Sequence, residues 1–289
     1  MNERELLLGA EVIARAAIDE GLSGVYAYPG TPSTEITEYI QQSEESRLGK
    51  VRSAWSVNEK TAYEAALGMS YAGKRSMVCM KHVGLNVAAD AFINSASTGS
   101  KGGMVVVVAD DPSMHSSQNE QDTRYYARFA QLPLLEPSNQ QEAYDCVRYA
   151  FAFSEALELP VIVRITTRLS HSRSTIIRRA ATLPNPLKPD TNRQKWILLP
   201  ANARRQYQHL LDLQPQLTEA AEMSPFNREW IGKDDSTTGI IAFGLAYNYV
   251  MEVNTRYNLQ LPVLKISQYP LPEKTIRHFT QRFQRVLIV

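Results

Sequence analysis

Polar and apolar positions alternate in blocks along the first two thirds of the chain. Short, almost wholly apolar runs end in polar turns, and each is followed by a stretch with apolar residues three and four apart. From Glu3 to Glu20, Leu6, Leu7, Ala10, Ile13, Ala14, Ala17 and Ile18 share one helical face that Gly21 stops, so a helix is expected to open the fold. Strands are predicted at Val25–Tyr28, Val51–Trp55, Ser76–Lys81, Met104–Ala109, Pro133–Glu136 and Val161–Thr166. Helical spacing follows the Pro29-Gly30-Thr31-Pro32 turn to Gln42, then recurs at Asn58–Ala72, Asn86–Thr98, Glu120–Ala130 and Gln140–Ala156. Runs such as Met-Val-Val-Val-Val-Ala are apolar toward both faces, which a parallel sheet covered on both sides requires. The expected fold is α/β, a doubly wound parallel sheet followed by a second, incomplete α/β domain.

The rhythm breaks between Ser172 and Ser236, where Pro184, Pro186, Pro189, Pro200, Pro215 and Pro225 accompany clustered arginines. Trp196, Ile197, Leu198, Leu199 and Trp230 are too apolar for a solvated linker, so irregular structure lying against the first domain is expected. A second unit then reads as strand Thr238–Phe243, helix Ala246–Tyr257, strand Val263–Ile266, a helix after Pro270-Leu271-Pro272 and a final strand Arg285–Val289. Ending inside a strand suggests a piece of a longer polypeptide. Domains are therefore expected at 1–171 and 237–289, joined by 172–236.

Charge removes some functions. Thirty-one Lys plus Arg stand against 30 Asp plus Glu, a net charge of +1 with no basic stripe, which argues against nucleic acid. The charged N-terminus is no secretory leader and no apolar run reaches a membrane span, so a cytoplasmic protein is expected. Cys79 and Cys146 read as reduced, buried thiols, and two cysteines fall short of the four thiolates of an iron–sulfur cluster.

Four strand ends carry polar loops. Tyr28-Pro29-Gly30-Thr31-Pro32-Ser33-Thr34-Glu35 offers Thr31 as helix cap with Pro32 in the first turn, an arrangement suited to an anion; the plainer reading is a well-capped helix. In Trp55-Ser56-Val57-Asn58-Glu59-Lys60, Glu59 falls in a first turn, where an acid ordinarily serves only the helix dipole. Met80-Lys81-His82-Val83-Gly84-Leu85-Asn86 places Lys81 and His82 where an anionic substrate could meet them, although a lone Lys or His there is more often structural. The loop from Asp110 to Asp122 reads as a site or as a solvated connection capped by Asn119, and has no metal-ligand spacing. Because parallel strands point one way, all four loops converge on one rim.

The runs Ala27–Ser33, Trp55–Lys60, Met80–Ala88, Lys101–Pro112, His115–Gln118 with Glu120–Asp122, Arg164–Arg173, Leu199–Arg205 and Ser224–Arg228 resemble, in order and spacing, the 2-oxoacid:ferredoxin oxidoreductases, and among them the indolepyruvate-specific alpha subunits. The resemblance implies a thiamine-diphosphate-binding fold of the pyrimidine type, with a transketolase C-terminal-like domain beginning near Thr238. It implies that Glu59 hydrogen-bonds the pyrimidine N1′ and so assists proton loss from C2. By the same likeness Thr31 contacts the substrate carboxylate, Lys81 and His82 face the substrate, and Tyr28, Pro29, Gly30, Asn86, His115 and Gln118 border the cofactor. The implied reaction is oxidative decarboxylation of an arylpyruvate to acyl-coenzyme A, with electrons passing through iron–sulfur clusters to ferredoxin, in anaerobic amino-acid catabolism. The implied assembly is a homo-oligomer with a beta subunit. The Gly-Asp-Gly stretch that holds the diphosphate through Mg2+ and the cluster cysteines have no counterpart here, so this chain alone is expected to be inactive. Pyruvate-specific relatives place an arginine near the substrate where this chain has Lys81, His82 and Asp110-Asp111-Pro112, which favours an arylpyruvate. The alternatives are an enzyme for pyruvate or another 2-oxoacid, and a non-catalytic paralogue. A nucleotide-binding module lacks its glycine fingerprint here.

Overall fold

A computed structural model describes residues 3–233 and 235–289. The chain begins with β1 (Arg4–Leu8), α1 (Gly9–Asp19), β2 (Gly24–Ala27), α2 (Thr34–Gln42), α3 (Glu44–Arg47), β3 (Arg52–Trp55), α4 (Glu59–Tyr71) and β4 (Ser76–Lys81). It continues with α5 (His82–Val87), α6 (Ala89–Thr98), β5 (Met104–Asp110), α7 (Thr123–Ala130), β6 (Leu134–Leu135), α8 (Gln140–Leu157), β7 (Val161–Thr166), α9 (Thr167–His171) and β8 (Arg173–Ile177). Then come α10 (Pro200–Glu222), β9 (Arg228–Trp230), β10 (Thr238–Phe243), α11 (Ala246–Arg256), β11 (Val263–Ile266), β12 (Gln268–Tyr269), α12 (Glu273–Thr280) and β13 (Arg285–Ile288).

The apolar strands form a seven-stranded sheet in the order β3-β2-β4-β5-β7-β6-β12, parallel except for β12. Every residue of β4 and β5 is buried, as strands covered on both faces must be. One face packs on α1, α2 and α8 through Ile13, Ile36, Tyr144 and Phe151. The other packs on α4, α5, α6 and α7 through Tyr63, Leu85, Phe92 and Ala127. A second sheet, β13-β10-β11-β9, is parallel apart from β9.

The structure departs from the sequence reading in three places. The opening helix begins only at Gly9; Arg4–Leu8 is a strand paired antiparallel with β8, and Glu11 accepts a hydrogen bond from the Leu8 amide at 2.8 Å where the strand gives way to the helix. The stretch expected to be irregular contains α10, which tolerates Pro200 in its first turn, where no amide is needed, and carries Pro215 internally. α10 buries Leu210 and Leu217 against the α6 face and reaches β12 and α12. Finally, β12 leaves the second sheet and pairs with β6, Gln268 opposite Leu135, so the later part of the chain completes the earlier sheet.

Candidate functional site

The strand order reverses between β2 and β4: the chain passes from β2 outward to β3, then returns to β4 on the other side. α2 leaves β2 toward one face and α5 leaves β4 toward the other, since their buried residues belong to opposite cores. The loops therefore separate and open a crevice at the C-terminal strand ends, where doubly wound sheets bind ligands.

Gly30 and Lys81 meet in this crevice. A Cβ on Gly30 would stand 3.2 Å from Lys81 Cδ, so the glycine gives the lysine stem its path. Lys81 is only 9% exposed, and its Nζ donates to the Ser116 carbonyl at 2.9 Å. Among the described residues no carboxylate pairs with it. A nearly buried ammonium with one neutral acceptor is costly unless an anion completes it.

Thr31 does not cap α2. The helix starts at Thr34 after Ser33, the Thr31–Pro32 peptide is cis, and the Gly30 amide donates to Thr34 Oγ1 at 2.8 Å. A residue before proline is pushed out of the helical region, so the turn is held by Ser33 Oγ donating to the Gly30 carbonyl at 2.7 Å instead. Thr31 stays exposed, and its carbonyl accepts from Ser116 Oγ at 3.3 Å.

Glu59 is the first residue of α4, but the helix does not need it as a cap. Asn58 Oδ1 accepts the Thr61 amide at 2.9 Å and fills that role. Glu59 is 9% exposed, and among the described residues nothing donates a hydrogen bond to it. The side chain is mostly buried while its carboxylate, without a donor, still reaches the crevice, which leaves it open to a donor on a ligand. Gly84 makes the space, because a Cβ there would come within 2.5 Å of Glu59 Oε1 and 2.7 Å of its Cγ. Gly84→Ala is accordingly expected to push the carboxylate aside without disturbing the core, leaving the melting temperature within a few degrees of the parent while cofactor-dependent turnover falls about tenfold or more.

His82, 1% exposed, has Nε2 at 3.0 Å from the Asn119 carbonyl, which requires Nε2 to carry the proton. Nδ1 is buried and has no hydrogen-bond partner among the described residues. Tyr28 and Pro29 are exposed at the crevice mouth. Asn86, His115 and Gln118 are exposed as well, and among the described residues no hydrogen bond ties Asn86 or Gln118 to the crevice group. His115 lines a cleft of ≈ 1490 Å³ that reaches Tyr249 on α11. The loop's helix cap is Asp122, not Asn119: its carboxylate accepts the Arg124 amide at 2.9 Å.

Sequence reasoning overlooked the residue that shapes this loop. Asp111, 1% exposed, accepts from the Ser116 amide at 2.8 Å, Ser117 Oγ at 2.8 Å and Thr167 Oγ1 at 2.7 Å. Burial opposes its ionisation, but the donors from Ser116, Thr167 and Ser117 prevail and hold the carboxyl well below the usual range. A depressed folded-state pKa stabilises above the unfolded value of about 3.9 and is lost as the pH falls toward the folded one. The melting-temperature difference between the protein and Asp111→Asn is thus expected to be constant above about pH 5 and to shrink below about pH 4. Both thiols, Cys79 and Cys146, are free and buried. Among the described residues no group of three or more His, Cys, Asp or Glu is placed to hold a metal, and no helix is long and apolar enough to cross a membrane.

These features define an α/β cofactor-binding domain with its crevice at the strand-order reversal. The family model described as pyruvate flavodoxin/ferredoxin oxidoreductase, thiamine diP-bdg, matches residues 15–213. The chain is 43% identical over its whole length to the indolepyruvate oxidoreductase subunit IorA of Archaeoglobus fulgidus and 47% identical to that of Pyrococcus abyssi. It spans 47% and 45% of those two proteins, about half their length. The 2-oxoglutarate synthase subunit KorA of Methanothermobacter thermautotrophicus is 27% identical over 65% of this chain and 50% of its own. A solved 2-oxoglutarate:ferredoxin oxidoreductase from Magnetococcus marinus superposes with a TM-score of 0.78 at 18% identity, covering 99% of this chain and 58% of that one, a likeness of fold. The chain belongs to the pyruvate flavodoxin/ferredoxin oxidoreductase family and carries its thiamine-diphosphate-binding domain.

Proposed function

We propose that this chain supplies the aminopyrimidine-binding half of the active site of an oxidoreductase that oxidatively decarboxylates arylpyruvates such as indolepyruvate to acyl-coenzyme A, with ferredoxin as electron acceptor. The observation that carries this reading is the pairing, on one crevice, of a carboxylate on a mostly buried side chain that has no donor with an ammonium that no carboxylate neutralises, among the described residues. Glu59 fits the pyrimidine N1′, which needs an acceptor in a space that Gly84 leaves open. Lys81 fits the carboxylate of a 2-oxoacid, and Thr31, at the crevice mouth and tied to the same Ser116, fits a second contact to it. His82 Nδ1 offers a lone pair to a donor on substrate or cofactor. Tyr28, Pro29, Gly30, Asn86, His115 and Gln118 complete the proposed border.

Thiamine diphosphate, when bound, supplies a nucleophilic carbon and an electron sink. The chain's residues provide the rest: Glu59 holds a proton at N1′, Lys81 neutralises and orients the substrate carboxylate, and the buried crevice floor excludes water. Magnesium, iron–sulfur clusters, a beta subunit, homo-oligomerisation and a cytoplasmic setting belong to the same proposal, supported by the relatives' names and family rather than by a site in this chain. The arylpyruvate assignment is supported by the relatives of 43% and 47% identity, both indolepyruvate oxidoreductase subunits. The test is anaerobic viologen reduction by the full-length subunit with its partner. Indolepyruvate should be turned over with a kcat/KM at least about tenfold above that for pyruvate; pyruvate preference would move the enzyme to a sister specificity, and no turnover of any 2-oxoacid would remove the catalytic reading.

A further inference from the structure

We propose that Asp111, which touches neither the substrate nor the cofactor in this reading, is the positioning residue that sets substrate recognition at Lys81 and Thr31. The inference rests on the function proposed above and names how that site is held in register. The loop from Asp110 to Asp122 is where the geometry concentrates. Ser113 and Met114 both adopt left-handed backbone conformations, φ 69° and 53°, which non-glycine residues accept only when their surroundings impose them. The turn is held mainly from Asp111, with the Ser113 amide also donating to Glu120 Oε2 at 3.3 Å. Asp111 gathers the Ser116 amide and the Ser117 hydroxyl from the far side of the turn, and its own carbonyl accepts the Met114 amide at 2.9 Å. Its other oxygen is fixed by Thr167, which opens α9 at the end of the neighbouring strand β7, so the hook is anchored to the sheet.

Ser116, the residue drawn in, presents two further groups to the crevice. Its carbonyl receives the Lys81 ammonium at 2.9 Å, and its hydroxyl, with one proton to give, lies 3.3 Å from the Thr31 carbonyl and 3.4 Å from Asp111 Oδ2. Lys81 is thus held between Gly30 along its stem and Ser116 at its tip. A lysine has four rotatable bonds, and a buried one that must meet a carboxylate gains its selectivity from being fixed beforehand. The path Thr167 to Asp111 to Ser116 to Lys81 and Thr31 supplies that fixing. Glu59 is outside it, whereas His115 and Gln118 of the proposed cofactor border share the loop, so substrate recognition should depend on Asp111 more than cofactor binding does.

The test compares Asp111→Asn, Thr167→Val and Thr167→Ser in the full-length subunit with its partner. Asp111→Asn keeps the side chain's size but loses the charge that three donors share, so KM for the 2-oxoacid should rise about tenfold or more with kcat within about threefold. Thiamine diphosphate affinity, to which His115 and Gln118 of the same loop are proposed to contribute, should fall by less than the KM rises, and amide exchange across residues 113–119 should accelerate. Thr167→Val, which removes one donor and guards against a misfolded Asp111 variant, should raise KM part of the way, and Thr167→Ser should restore it. An unchanged KM together with unchanged loop exchange in Asp111→Asn and Thr167→Val would overturn the proposal, as would an equal loss of cofactor affinity. A parent that turns over no 2-oxoacid would sink the functional reading instead, and the exchange measurement would still decide whether Asp111 fixes the loop.

Discussion

Replacing Glu59 with glutamine should lower kcat by about two to three orders of magnitude while leaving the fold intact. The expectation follows from burial and from what is missing around the side chain. Glu59 has no structural hydrogen bond to lose among the described residues, because Asn58 caps α4, so glutamine should be accommodated with a melting temperature close to the parent's. Glutamine is nearly isosteric, but it cannot take or hold a proton shared with a ring nitrogen, and that exchange is the task proposed for the carboxylate. Thiamine diphosphate should still bind within about tenfold of the parent, since the site's shape, including the gap at Gly84, is kept. The measurement is anaerobic viologen reduction with indolepyruvate, alongside a thermal scan. A Glu59→Gln enzyme running at the parental rate would show that the carboxylate takes no part in proton transfer; a collapsed fold would show that it is needed for folding.

Much of this arrangement was legible in the sequence, for reasons visible in single elements. β4 and β5 are continuous apolar runs because both faces are covered, and such runs announce themselves. The crevice residues sit at strand ends, so Lys81, Gly30 and Thr31 could be placed on one rim from chain order alone. What escaped was non-local or carried no side-chain signal. Arg4–Leu8 has apolar residues compatible with a helix, and only its pairing with β8 makes it a strand. β12 is two residues long and pairs with Leu134 and Leu135, far back along the chain, so no local pattern marks it. The prolines around α10 read as breaks because the tolerance of a first-turn proline appears only once the helix start is known. Lys81 ends on a backbone carbonyl, and a carbonyl looks the same in every sequence. Asp111 stood in view beside Asp110, but its role depends on a turn whose left-handed residues are not glycines, so composition gave no hint of it.

Breaking the ion pair between Lys265 and Glu142 should destabilise the protein more than any of the substitutions in the crevice. Lys265 lies on β11 and is 2% exposed; its ammonium donates to both Glu142 oxygens and to Ser138 Oγ at 2.8 Å, and lies 5.1 Å from the centre of the Tyr247 ring. Glu142 belongs to the first turn of α8, and its carboxylate also accepts the Ser138 amide at 2.6 Å. Asn248 of α11 donates to the Ser138 carbonyl at 2.6 Å, so α8, α11 and β11 are tied together at one buried point. Burial pushes the Lys265 pKa down while Glu142 opposes that fall, and Arg228, on the same carboxylate, adds to it. Lys265→Met would take away the nearest cation of Glu142 and leave it only the Arg228 guanidinium, 3.5 Å away, a cost of about 3 kcal/mol, and the loss should appear as a lower urea midpoint. Combining Lys265→Met with Glu142→Leu removes both charges and should recover most of that loss, because matched apolar groups seldom do worse than a buried pair. Recovery in the double variant would locate the penalty in the stranded charge. A double variant as unstable as Lys265→Met would place it in the Ser138 and Asn248 bonds, and the junction between the two sheets would then depend on hydrogen-bond geometry more than on charge.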